Sequence, residues 1–382
     1  MSASLSAEQQ RLRDEIVTFA RNELNAGAAE RDRDGTFPRD LWLKCGSLRL
    51  QGLLVPEEFG GRGLDPLSAT MALEALGNGS GDAGLNFAIC AHLLACVVPI
   101  WKHGSPEQKR EYLPRLSDGS LIAANAMSEP GSGSDAFALT TRAVADGTGF
   151  LLNGVKTFCS NGPCADVVVT YAATNPARGY HGGITAFIVR RETKGFRTGP
   201  AFDKLGLRTS HMSDVVFDNA WVPSTAVLGS VGGGSAIFAE SMDWERACLG
   251  AMHVGTMQRL LDMTVRYART QRISGEAIGK AQGVSHAVAD MKVRLEAARL
   301  LVYRTASKLG LARDISMDAA ITKLFVSESL VAVAQSALRV FGECGVAAGH
   351  ETERALRDAL SSTIYSGTSE IQRNIIARWL GL

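Results

Sequence analysis

Apolar and charged positions alternate at helical spacing over residues 1 to about 120, punctuated by loop signals such as Gly60-Gly61-Arg62-Gly63 and Gly77-Asn78-Gly79-Ser80-Gly81. That pattern predicts a block of helices. From 121 to about 230 the texture changes to short β-branched or aromatic runs, including Val167-Val168-Val169-Thr170-Tyr171 and Ile184-Thr185-Ala186-Phe187-Ile188-Val189, parted by Gly, Asn, Asp and Pro. Such runs predict strands joined by turns. Beyond the glycine-rich stretch 229–235 the helical period returns and holds almost to the end. Val284, Val288, Met291, Leu295, Ala298 and Val302 recur at steps of four, three, four, three and four, with Asp290, Lys292, Arg294, Glu296 and Arg299 off the stripe. This predicts a long amphipathic helix facing a core, since the repeat is too short for a coiled-coil seam. The chain thus reads as α+β, mainly α: a helical domain over 1–120, a β domain over 121–231 and a helical bundle over 232–382.

Composition narrows the class. With 382 residues, 46% hydrophobic and 21% charged, the chain is globular and large enough for about two and a half average domains. Forty basic residues against 39 acidic ones leave a net charge of +1, so no global field recruits nucleic acid or an anionic membrane. The apolar stretch Ala83 to Trp101 is long enough to span a bilayer, but it contains Asn86, His92 and Pro99, which points to a buried helix. The polar amino terminus, MSASLSAEQQRLRDE, lacks the apolar core of an export signal, so a cytoplasmic protein is expected. Seven cysteines without a CxxC pair are expected to be reduced, buried thiols, and no metal site is expected.

Four segments carry candidate chemistry. Ser128-Glu129-Pro130-Gly131-Ser132-Gly133-Ser134-Asp135 can present backbone N–H groups to a ligand, although composition alone favours an ordinary turn, and a third glycine for a dinucleotide turn is missing. Asn153-Gly154 reads as a hairpin turn, followed by a strand placing Phe158 and Ser160 on one face; taken alone, Phe158 reads as core. Glu245, in Met242-Asp243-Trp244-Glu245-Arg246, enters a mostly apolar helical segment and is either a working carboxylate or a first-turn acid favoured by the helix dipole. A bridge to Arg246 is weak, because neighbours in sequence do not face each other on a helix. Finally, the Gly367-Thr368 step interrupts and restarts a helix, which Thr368 or Ser369 can cap.

In this order the segments resemble the acyl-CoA dehydrogenase family over nearly the whole chain. The resemblance is carried by Val55-Pro56-Glu57-Glu58-Phe59-Gly60-Gly61 with Gly63-Leu64-Asp65, the loop from Ser128 to Asp135, Asn153-Gly154-Val155-Lys156, Asp203-Lys204-Leu205-Gly206-Leu207-Arg208, and Tyr365 to Arg373. It implies an N-terminal helical domain, a central β-barrel-like domain and a C-terminal four-helix bundle. FAD would lie between the last two and a neighbouring subunit of a homodimer or homotetramer. Met127, Ser128 and Ser134 would line the flavin and its pyrophosphate, Phe158 and Ser160 would cover the ring face away from substrate, and Thr368 and Glu370 would meet the adenine end.

The resemblance also shows where this chain departs. Much of the family has its catalytic glutamate just before the terminal Gly-Thr; here that residue is Ser366. A minority that this chain resembles places the glutamate at the position of Glu245, which becomes the expected base, with a backbone N–H near Ser366 for the thioester carbonyl. Gln271 and Ser274 replace an Arg and a Phe that reach a neighbouring FAD, leaving Arg272 as a substitute, and Arg339 and Gly342 stand at the same contact. The implied reaction is FAD-dependent α,β-dehydrogenation of a short acyl thioester, bound to a carrier protein or to CoA, in secondary metabolism. Phrases such as Ala172-Ala173-Thr174-Asn175-Pro176 look most like prolyl-carrier-protein dehydrogenases of pyrrole formation. A flavin monooxygenase on the same fold and a non-catalytic acyl- or partner-binding module are the alternatives, and the electron acceptor is left open.

Overall fold

The computed structural model describes residues 5–311 and 314–382; the first four residues of the polar amino terminus lie outside it. Capping side chains open four helices of the first domain. Ser6 accepts the Gln9 N–H while the Gln9 side chain accepts the Ser6 N–H, opening α1 (Ala7–Glu23). After α2 (Ala28–Asp34) and α3 (Arg39–Ser47), Asp65 accepts two first-turn N–H groups ahead of α4 (Pro66–Gly79). Asp82 caps α5 (Ala83–His92), which continues through one π-helical segment (Leu93–Val97) into α6 (Val98–His103). A second capping box, Ser105 with Gln108, opens α7 (Pro106–Ser117).

The apolar stretch is indeed a buried helix: Ala83–His103 is 94% buried over its most apolar window. Its polar residues are accounted for. Pro99 has no N–H for the Ala95 carbonyl four residues back, and the Asn125 side chain donates to that carbonyl at 3.0 Å instead. His92 accepts the Ala123 N–H at 3.0 Å and donates to the Leu116 carbonyl at 3.0 Å, and burial lowers its pKa to about 4, so it is neutral.

The middle domain contains β1 (Ala123–Ala126), β2 (Arg142–Asp146), β3 (Gly149–Ser160), β4 (Val167–Ala173), β5 (Ile184–Arg190), β6 (Phe196–Thr198), β7 (Met212–Pro223) and β8 (Val227–Leu228). They form one sheet in the order β6-β7-β3-β2-β4-β5-β8, with β1 parallel to β4. The sheet closes over a core that includes Leu152, Val168, Phe187, Val215 and Phe217. Every residue of β4 is buried because its other face, Val167, Val169 and Tyr171, packs into the helical core. That is why its sequence is apolar at nearly every position rather than alternating, with buried Thr170 donating its hydroxyl to the Ala126 carbonyl.

The third domain runs α8 (Gly234–Cys248), α9 (Gly250–Thr270), a small hairpin of β9 (Arg272–Ile273) and β10 (Glu276–Ala277), α10 (Gln282–Ala306), α11 (Ser316–Phe341), α12 (Glu343–Val346), α13 (Glu351–Ser361) and α14 (Ser369–Trp379). The stripe on α10 buries Met291, Leu295, Ala298 and Val302, while Val284 and Val288 are half-buried. Glu74 of α4 ties the first domain to α10 by accepting from Arg299 at 2.9 Å and the Tyr303 hydroxyl at 2.7 Å. Where α4 crosses α9 the backbones nearly touch. A Cβ on Gly255 would lie 2.1 Å from the Glu74 carbonyl oxygen, and one on Gly77 2.1 Å from that of Met252. Gly255→Ala is therefore expected to force the helices apart and cost about 1–3 kcal/mol, read as a lower denaturation midpoint. An unchanged midpoint would show that the crossing relaxes freely.

Two expectations fail here. Asn153-Gly154 is no hairpin turn; it lies inside β3, and the β2–β3 connection is at Asp146 to Gly149. A Cβ on Gly154 would fall 2.4 Å from the Thr141 hydroxyl, so this glycine serves a register shift against β7 under close approach. Nor are all the thiols buried: Cys164 is half-buried and Cys344, on the short α12, is exposed.

Candidate active site

Glu245 lies in the last turn of α8, not in a first turn, so a favourable first-turn dipole cannot account for it. The chain stays helical through Leu249 (φ −60°, ψ −35°) into α9. Glu245 is 7% exposed, and its Oε1 accepts a hydrogen bond from the Ser366 hydroxyl. Burial raises the Glu245 pKa; the Ser366 bond, Arg246 and Lys323 pull against that rise. Arg246 does not bridge to Glu245. Its Nε donates to the Ser366 carbonyl at 3.1 Å, and its Nη1 stands 3.8 Å from Asp243. Glu245, Arg246, Lys323, Tyr365 and Ser366 line one narrow cavity.

The turn facing Glu245 is held in a left-handed conformation, with Ser366 at φ 56° and Gly367 at φ 90°. Gln372 pins it by donating to the Ser366 carbonyl at 3.2 Å and the Gly367 carbonyl at 2.8 Å. The Ser366 N–H has no partner among the described residues. Thr368 accepts the Ile371 N–H at 3.3 Å and starts α14, and Glu370 is exposed in that first turn. Tyr365 is anchored through its hydroxyl to His253 Nε2 at 2.7 Å and by its ring to Phe87, centroids 4.6 Å apart.

Helix α5 is the wall shared with the middle domain. Next to Phe87, the Ala88 carbonyl accepts from the Asn161 side chain at 3.0 Å, which places Ser160 and the Tyr365-Ser366 turn against the same helix. The loop from Ser128 to Asp135 is closed by Glu129 pairing with Ser132 and is joined to β3 where the Thr157 N–H donates to the Ser128 carbonyl at 2.8 Å. Met127 is buried and its carbonyl accepts from Lys156 at 3.0 Å, while Ser134 is exposed.

Phe158 supplies the test of whether a flat cofactor fits. Its neighbours Thr157 and Cys159 are buried, yet its ring is 65% exposed and its φ is 54°. A side chain in that region costs roughly 1–3 kcal/mol, and an uncovered aromatic adds to it. Phe158 is therefore not a core residue; the exposed ring beside half-buried Ser160 and an open glycine loop suits a planar ligand such as a flavin.

Not every expected site residue gathers there. Arg272 is exposed on β9, Arg339 is exposed in the last turn of α11, and Gly342 (φ 61°) follows it. Tyr267 stacks on Phe341 at 4.3 Å, so these three share one end of the bundle. The Arg373–Glu328 pair docks α14 roughly 13 residues back along α11, about 20 Å away. Lys323 was not picked out from the sequence, although a single lysine in the apolar run Ala319 to Val326 was the available signal.

Models described as acyl-CoA dehydrogenase N-terminal, middle and C-terminal domain match residues 6–120, 124–220 and 232–381. The chain is 40% identical to an L-prolyl-[peptidyl-carrier protein] dehydrogenase of Serratia sp., covering 100% of this chain and 99% of that protein. Among solved structures, the prolyl acyl carrier protein oxidase AnaB is 39% identical with a TM-score of 0.97, covering 99% of this chain and 100% of its own. PigA with FAD and proline is also 39% identical with a TM-score of 0.97, over 100% of both chains. Three domains matched in order, on a fold that superposes from end to end, make this chain a member of the acyl-CoA dehydrogenase family.

Proposed function

We propose that this enzyme removes two hydrogens across the Cα–Cβ bond of a prolyl group carried as a thioester on a carrier protein, with Glu245 as the base. It is an FAD-dependent oxidoreductase acting on the CH–CH group of an acyl thioester. The observation that carries the assignment of the base is a buried carboxylate, Glu245, held by the Ser366 hydroxyl in a cavity beside the turn where the family's base usually stands. The prolyl group and its carrier are supported by what the relatives above are named for.

Bound FAD supplies the two-electron acceptor that takes the β hydrogen as hydride. The protein supplies the rest. Glu245 takes the α proton, and the pKa rise from burial makes it a stronger base than a solvated carboxylate. The unpartnered Ser366 N–H is the donor assigned to the thioester oxygen, where charge builds as the α proton leaves. Phe158 and Ser160 would back the flavin ring, Met127, Ser128 and Ser134 would line it and its pyrophosphate, and Thr368 and Glu370 would meet its adenine end. Arg272, Arg339 and Gly342, at the other end of the bundle, are assigned to the flavin of a neighbouring subunit in a homodimer or homotetramer. A monooxygenase on this fold has no use for a carboxylate at position 245.

The test is the purified protein's visible spectrum, followed by challenge with prolyl and short acyl thioesters on carrier protein and on CoA. Oxidised flavin bleached fastest by the carrier-bound prolyl thioester is expected. Bleaching by CoA thioesters alone would overturn the carrier assignment, and a colourless protein would overturn the reaction.

A further inference from the structure

We infer that Ser366, through its hydroxyl, and Lys323, through its ammonium, are positioning residues that hold Glu245 ionised, and that the Ser366 bond also aims its carboxylate at the cavity. The inference rests on Glu245 being the base. Ser366 occupies a backbone conformation that favours glycine (φ 56°), yet it carries a side chain, and that side chain's hydroxyl donates to Glu245 Oε1. A hydrogen bond donated to a carboxylate favours its charged form.

The second contribution emerges from the charges around Glu245, taken element by element. Cys90 on α5, Cys96 on the π-helical segment, Tyr171 on β4 and Tyr365 beside Ser366 are all pushed by burial above their ordinary pKa values and stay neutral. On its own helix, Arg246 faces Asp243 at 3.8 Å and donates to the Ser366 carbonyl, so its charge is partly answered. His253 on α9 lines the same cavity, but burial lowers its pKa to about 3 and it is neutral. Lys323, reaching in from α11, adds a second positive charge beside that of Arg246. It is 6% exposed, lines the cavity with Glu245, and its Nζ has no hydrogen-bond partner among the described residues. Burial lowers its pKa to about 8, so it still carries a proton at neutral pH. A buried ammonium without a partner is costly unless a carboxylate shares its cavity, and Glu245 is that carboxylate.

The test uses the FAD-loaded enzyme and two readouts. One is the acidic limb of the pH profile of kcat/KM. The other needs no turnover: the protonated-carboxyl infrared band of Glu245 against pH, isolated by subtracting the spectrum of Glu245→Gln. Ser366→Ala removes the hydroxyl and Lys323→Met removes the charge. Each is expected to move both readouts upward by about one pH unit, with about tenfold slower turnover below the new limb. Lys323→Arg should restore the profile. Ser366→Gly should show the same shift while melting no lower than wild type, because it relieves the left-handed strain; that separates the hydroxyl's effect from damage to the fold. Unmoved limbs and unmoved infrared titration in Ser366→Ala and Lys323→Met, alongside an inactive Glu245→Gln, would overturn the inference. A Glu245→Gln enzyme that still turns over would instead remove the base assignment beneath it.

Discussion

Glu245→Gln is expected to leave a folded, yellow, FAD-loaded enzyme whose flavin is reduced by thioester about 10²–10⁴-fold more slowly than in wild type. Glutamine matches glutamate in size, and its amide oxygen can still accept the Ser366 hydroxyl, so the cavity and the turn at 365–367 are preserved. What is lost is the lone pair that takes the α proton. The donors that stabilise charge on the thioester oxygen remain, so a residual rate should survive. Stopped-flow reduction read at the flavin absorbance measures it. In wild type the same step should weaken as the pH falls, because the Glu245 pKa is raised and protonation removes the base. Reduction at the wild-type rate by Glu245→Gln would send the search for the base elsewhere.

Lys156→Met should be the most damaging single change to the middle domain. Glu129 and Lys156 are 3% and 0% exposed and form an ion pair at 2.9 Å. Glu129 also accepts from the Thr140 N–H at 2.6 Å, the Thr140 hydroxyl and the Thr141 N–H at 3.0 Å. Burial alone would raise its pKa, but Lys156 and these donors win, and it is lowered from 4.5 to about 2. Removing the ammonium strands a buried carboxylate, which costs about 3–5 kcal/mol. The pH dependence gives the check. In wild type the low pKa contributes stability that is present above the ordinary carboxylate range and lost as pH falls from about 4.5 toward 2. In the variant the stranded carboxylate's pKa rises, so acid should relieve it, and the gap in denaturation midpoint should narrow on lowering the pH. The loop carrying Ser128 and Ser134 hangs on this pair, so FAD retention through gel filtration should fall as well. A constant gap across pH would show that the loss comes from packing rather than charge.

Much of the architecture was legible along the chain because it depends on short-range periodicity. The α10 stripe, the nearly continuous apolar run of β4 and the buried helix from Ala83 to His103 are patterns in which each residue's burial follows from its near neighbours. The phrases that carry the family resemblance are equally local. Asn153-Gly154 misled because its role is set by Thr141, which approaches from outside its own strand. Phe158 reads as core from its type alone, whereas the left-handed backbone at that bulge turns its ring outward.

The order of helices, strands and helices, the serine at the family's usual base position and the glutamate at 245 were properties of the sequence by itself. Only the tertiary structure decided what that carboxylate touches. Glu245 and Ser366 meet across 121 residues, and Lys323 reaches their cavity from a separate helix. Such contacts arise from how α11 packs against both α8 and α14 while the turn before α14 seats Tyr365 on Phe87 of α5. A residue's pKa and hydrogen bonds depend on distances through space, which no periodicity along the chain records.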